Sequence, residues 1–112
     1  RAAAFHESWK KGERVTIEVA DTVADGLAAR SVFQLPWMIM KDSITDVVLL
    51  SEEEILEGVR LALQTTHNLA ETAGAAPIAA SLKIKDRLAG KKVVLVMSGG
   101  NLDQEHLLQA LA

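Results

Sequence analysis

Cysteine is absent from the 112 residues, which excludes a disulfide framework and any zinc site built on thiolates. The same absence agrees with a reducing compartment, and a cytoplasmic location is the expectation. Aromatic residues are scarce (two Trp, two Phe, no Tyr), so a core has to come from Val, Leu, Ile and Ala. A basic excess is lacking too. Twelve Lys and Arg stand against 15 Asp and Glu, a net charge of −3, and no positive field is left to attract nucleic acid or an anionic membrane. No apolar run approaches the ~20 residues of a membrane span, and the opening RAAAFHESWKK lacks the apolar centre of a signal peptide. The sequence opens on Arg1 rather than Met, as expected of a processed, cut or partly represented polypeptide. No repeat or proline-rich linker divides it, and residues 1–112 are expected to form one unit.

The usual chemical signatures are also missing. There is no GxxxxGK[ST] phosphate loop, no GxGxxG and no HExxH. The three histidines are scattered. His67 and Glu71 have the spacing of a helical metal clip, but without a third ligand a solvated pair is expected and no metal site is assigned. Ser98 has no glycine two residues before it and so lacks the GxSxG setting of a hydrolase nucleophile.

What is present is a series of helix and strand signals. Arg1 to Lys11 mixes alanine with charge in a helical manner and meets a stop at Gly12. VTIEV (residues 15–19) alternates as a half-buried strand, and a turn and short helix are expected in ADTVADGLAARS. A further short helix is expected over Leu35–Met40, with Pro36 near its start. DVVLL (residues 46–50) suits a short buried strand and runs into SEEE, a capping box in which Ser51 and Glu54 each satisfy the other's backbone amide. Ile55, Leu56, Val59, Ala62 and Leu63 then recur on one face of a helix expected to reach about Asn68. Gly74 is expected to open a small-residue helix that Gly90 ends, with Pro77 in its first turn. Lys92–Met97 is expected to be the most buried strand, before a final helix LDQEHLLQALA.

Strands interleaved with helices predict an α/β fold with a mostly parallel sheet covered on both faces, a three-layer arrangement. About three strands leave open edges, so the domain is expected to be incomplete on its own, with its remaining strands elsewhere. Within such a sheet, ligands gather at the carboxyl ends of strands. SGGN (residues 98–101) lies at that place. Two readings of it stay open here: a plain turn with Asn101 or Asp103 as helix N-cap, or a ligand site that uses the glycines for close approach and Ser98 as donor.

Two further stretches, TVADGLAAR (residues 22–30) and AETAGAA (residues 70–76), precede SGGN in order. Together with DVVLLSEEEI they resemble the carboxyl-terminal part of the catalytic domain of threonine and serine dehydratases. Those are pyridoxal-phosphate-dependent enzymes of the fold group that includes the tryptophan synthase β chain. The resemblance covers almost all of residues 1–112 and implies that they are the distal portion of such a domain. It implies pyridoxal 5′-phosphate as cofactor, with Ser98 hydrogen-bonded to the pyridine nitrogen and Gly99 and Gly100 admitting the ring. Gly26 of ADG would lie beside the cofactor, and Glu71 would stand close to cofactor and substrate. Asn101 is expected to cap the last helix.

The likeness further implies a small amino-acid substrate, contact with the remainder of the catalytic domain, and a homo-oligomer. The reaction implied is conversion of L-threonine or L-serine to a 2-oxo acid and ammonia. Related chemistry, racemisation or β-replacement, stays open, as does a non-catalytic fragment or oligomerising module. The family's Schiff-base lysine motif and glycine-rich phosphate loop do not occur in these residues, so no catalytic residue is assigned. Lys10, Lys11, Lys91 and Lys92 are paired surface-type lysines, Lys83 and Lys85 fall on a polar helix end, and none is assigned to the imine. Many family members bind a cation near the segment that corresponds to the start of this sequence, where Ala2, Ala3 and Ala4 stand; no metal is expected.

Overall fold

The computed structural model describes all residues 1–112. Six helices follow one another: α1 Ala4–Lys11, α2 Gln34–Met40, α3 Glu52–Thr66, α4 Thr72–Lys83, α5 Lys85–Leu88 and α6 Gln104–Leu111, with one 3₁₀ turn at Asp25–Leu27. The chain divides into two compact units, the first comprising Arg1–Thr22 and Leu27–Leu49, the second Val23–Gly26 and Leu50–Ala112.

In the first unit, α1 stops where Gly12 turns to φ 74° and donates its N–H to Ser8 and Trp9 carbonyls. Ser8 is fully buried and satisfied twice. Its Oγ donates to the Ala4 carbonyl (2.7 Å) and accepts from the Val15 amide (3.0 Å). Trp37 of α2 is buried and meets Phe5 edge-on, the ring centroids 6.2 Å apart. The rest of α2's apolar surface, Leu35, Met38 and Ile39, is exposed.

The second unit is built on a helix pair. Ser51 accepts from the Glu54 amide (3.1 Å) while the Glu54 carboxylate accepts from the Ser51 amide (2.7 Å), so the expected capping box starts α3. The helix ends at Thr66, where His67 adopts φ 57°. Ile55, Val59 and Ala62 face α4, whose buried residues are themselves small (Gly74, Ala75, Ala79). A methyl group at Gly58 would stand 2.7 Å from the Ala75 carbonyl oxygen and 3.2 Å from the Ala79 methyl, so the two backbones touch at a point only glycine allows. Val59, Ala62, Ala70, Ala75 and Ala110 form the core, with Leu56, Ile78 and Leu102 against it. The Arg60 guanidinium ties α6 to α3 by donating to the Ala110 carbonyl (2.7 Å).

Several expectations need correction. None of the expected strands is formed within the chain. VTIEV contributes a single antiparallel bridge, Thr16 to Ser31, and DVVLL and Lys92–Met97 carry no ladder. A strand is held by its neighbour's amides and carbonyls, and neither segment forms such a ladder within the chain. Lys92–Met97 is therefore not buried: Val94 and Val96 are 88% and 69% exposed. Helix α4 starts at Thr72 rather than Gly74, which puts Pro77 at its sixth residue, past the first turn. Pro77 has no N–H, so the Ala73 carbonyl lacks its usual helical donor. The last helix is capped by Asp103, which accepts from the His106 amide (2.7 Å), and not by Asn101.

Candidate cofactor site

The amino-terminal end of α4 is where separate stretches of the second unit meet. Glu71 is the N-cap residue of that helix, and its N–H donates to the Gly99 carbonyl (3.0 Å), joining AETAG to SGGN through the backbone. The glycines permit this approach. A methyl group on Gly74 would come within 2.7 Å of the Gly99 carbonyl oxygen and 3.4 Å of the Ser98 nitrogen. One on Gly99 would strike the Glu71 carboxylate at 2.8 Å, and one on Gly100 the Leu69 carbonyl at 2.6 Å. At Gly74 and Gly100 the atoms met are backbone, so a side chain at either would displace the 98–100 turn.

The ADG stretch reaches the same helix end. A methyl group on Gly26 would sit 2.9 Å from the Ala73 Cβ. Ahead of it Ala24 is fully buried, and Val23 is held on both sides: its N–H donates to the Glu52 carboxylate (2.7 Å) and its carbonyl accepts from the Thr72 hydroxyl (2.7 Å). A cleft of about 230 Å³ opens beside this junction, lined in part by Asp25, Gly26, Glu71, Asn101, Asp103 and His106. Its polar rim includes the Asp103 carboxylate, 2.9 Å from His106 Nδ1.

Of the five residues singled out from sequence, Gly26 and Glu71 line the cleft, and Gly99 packs on Glu71. Ser98 and Gly100 lie just outside the cleft on exposed backbone of the same turn. The Ser98 hydroxyl enters no hydrogen bond within the chain. His67 and Glu71 do not share a helix face, because one closes α3 and the other precedes α4. Thr72 and Glu52 escaped the sequence reading. A threonine inside ETAG and a glutamate in an acidic triplet have obvious duties at helix starts, and only the fold shows that both reach Val23.

The exposed turn beside the cleft offers a donor to a ligand that carries a ring acceptor. An exposed, unengaged hydroxyl at Ser98 can donate to a nitrogen without protonating it. The residues present therefore fit a pyridine-type cofactor.

Known proteins resemble the chain in sequence and in fold. The sequence profile of the family described as pyridoxal-phosphate dependent enzyme matches residues 1–99. A biosynthetic L-threonine dehydratase of Halalkalibacterium halodurans is 39% identical over 102 residues, covering 91% of this chain and 25% of the relative. Among solved structures, the processed form of threonine deaminase isoform 2 from Solanum lycopersicum superposes with a TM-score of 0.88 at 28% identity, covering 98% of this chain and 31% of that one. Serine racemase from Dictyostelium discoideum gives a TM-score of 0.81 at 33% identity, covering 91% and 33%. The chain thus spans about a quarter to a third of the length of the relatives it matches.

Proposed function

The chain belongs to the pyridoxal-phosphate-dependent enzyme family, and from that premise we propose that it is the distal part of the catalytic domain of a threonine or serine dehydratase. The reaction would convert L-threonine or L-serine to a 2-oxo acid and ammonia. The observation that carries the reading is the junction of AETAG with SGGN, sealed by the Glu71 amide on the Gly99 carbonyl. The relatives' length supports placing the rest of the site outside residues 1–112. On this reading Asp46–Leu50 and Lys92–Met97 are strands of a mostly parallel sheet that the remainder of the domain completes. The exposed aliphatic side chains of Val93–Met97 support that. A homo-oligomer working in the cytoplasm belongs to the same proposal.

Pyridoxal phosphate, when bound, supplies an electron sink for bonds broken at the substrate's α-carbon. Ser98 would donate a hydrogen bond from its hydroxyl to the ring nitrogen and leave that nitrogen unprotonated. A hydroxyl at Ser98, where a carboxylate would hold the nitrogen protonated, would thus suit loss of a β-hydroxyl from the substrate. Gly99 and Gly100 would admit the ring, and Gly26 would line its edge. Glu71, fixed by its own amide, would present its carboxylate toward cofactor and substrate.

The test is Ser98→Ala in the full-length enzyme. Cofactor affinity, followed by fluorescence titration, should fall by about tenfold, the worth of one good hydrogen bond. Turnover should fall with it and the melting temperature should hardly move. Unchanged affinity and turnover would reject Ser98 as the ring's partner. The likeness to serine racemase supports a second reading, amino-acid racemisation at the same site. Product analysis on L-serine separates the two: a 2-oxo acid for the dehydratase, D-serine for the racemase.

A further inference from the structure

Val23, in the stretch before α3, has both of its backbone polar groups taken by side chains of the helix pair. Glu52 and Thr72 are the first residues of α3 and α4 respectively. The Glu52 carboxylate accepts the Val23 N–H at 2.7 Å, and the Thr72 hydroxyl donates to the Val23 carbonyl at 2.7 Å. Both bonds are part-buried, and Thr72 is 5% exposed. Three residues on, Gly26 lies against Ala73, one residue past Thr72, with no room for a methyl group between them. A stretch whose regular structure is limited to the 3₁₀ turn at Asp25–Leu27 is thus fixed at two points.

We propose that Glu52 and Thr72 are positioning residues that clamp the ADG stretch, setting Gly26 against the start of α4 and thereby the width of the site between Gly26 and Glu71. The proposal rests on the cofactor reading given above for its functional half, while the clamp itself does not. Thr72 and Val23 themselves line the cleft, whereas Glu52 does not. The pair acts through Val23, and the clamp needs a donor hydroxyl at position 72 and an acceptor oxygen at position 52. Serine and glutamine keep those atoms; valine and alanine remove them.

Four variants of the full-length protein test this: Thr72→Val, Thr72→Ser, Glu52→Ala and Glu52→Gln. Backbone hydrogen exchange over residues 23–26, measured without cofactor, reads the clamp. Pyridoxal phosphate affinity by fluorescence titration reads its consequence. T72V and E52A are each expected to speed exchange at 23–26 by about tenfold and to weaken cofactor binding several-fold, the usual reach of one lost buried bond. T72S and E52Q should restore both. If T72V fails to fold, the E52A and E52Q pair carries the test alone. Unchanged exchange in E52A and T72V would overturn the clamp. Faster exchange with undiminished cofactor affinity would overturn its positioning role, provided Ser98→Ala does weaken binding. Should Ser98→Ala also leave binding intact, the cofactor seat is what fails, and the exchange arm still decides whether the clamp exists.

Discussion

Helix α3 and the segment Lys92–Met97 lie in the same unit, and both are rich in aliphatic residues, yet they meet opposite fates. Ile55, Val59 and Ala62 are buried against the small residues of α4, whereas Val93 to Met97 stay between 37% and 88% exposed. The difference is one of partners. A helix satisfies its own backbone, and α3 adds a capping box and a face of alanines and glycine to pack upon. A strand's amides and carbonyls need a neighbour, and its apolar side chains need layers above and below. Within residues 1–112 only the helix has both.

The sharpest way to break the comparison is to put a charge on the bare segment. Val94→Asp should change the stability of the 112-residue chain by less than about 0.5 kcal/mol, as surface changes do. In the full-length protein it should cost about 4 kcal/mol, because there the side chain is proposed to be enclosed. Urea denaturation of both forms measures the contrast, and equal effects would dissolve it.

The packed side of the comparison is probed by Gly58→Val. The added carbons would press on the Ala75 carbonyl and the Ala79 methyl, and a loss of about 3 kcal/mol is expected in the full-length protein. A loss below 1 kcal/mol would mean that α3 and α4 separate easily.

The smallest effect lies at the start of α3. The Lys83 ammonium, 2.9 Å from the Glu54 carboxylate, and the Ser51 amide hold Glu54 below the ordinary carboxylate pKa, the lysine being the larger cause. A depressed folded-state pKa contributes stability that is full above the unfolded value of about 4.3 and is lost as pH falls through the lower folded value. Both side chains are more than a third exposed, so solvent screening leaves no more than about 0.5 kcal/mol. Lys83→Met should flatten this acid-side slope of stability against pH and leave the neutral-side slope alone.

Legibility in the sequence followed the same division. SEEE announced α3 because a capping box is local chemistry, and Gly12 marked the end of α1 for the same reason. The start of α4 was misplaced by two residues. Its N-cap, Glu71, makes no side-chain cap bond, and Thr72 spends its hydroxyl on Val23 rather than on its own helix. Pro77 looked like a first-turn proline only because Gly74 looked like a beginning. For the site, ADG, ETAG and SGGN could be picked out as stretches, but their junction is a tertiary fact. Nothing in the residue types of Glu52, Val23 and Thr72 announces that they meet.

The central claim is that these three stretches form one seat for the cofactor, and hydrogen exchange of the full-length protein with and without pyridoxal phosphate tests it most directly. The account predicts that residues 23–26, 71–74 and 98–101 gain protection together when the cofactor is added. Protection confined to residues outside these stretches, with all three unchanged, would contradict it.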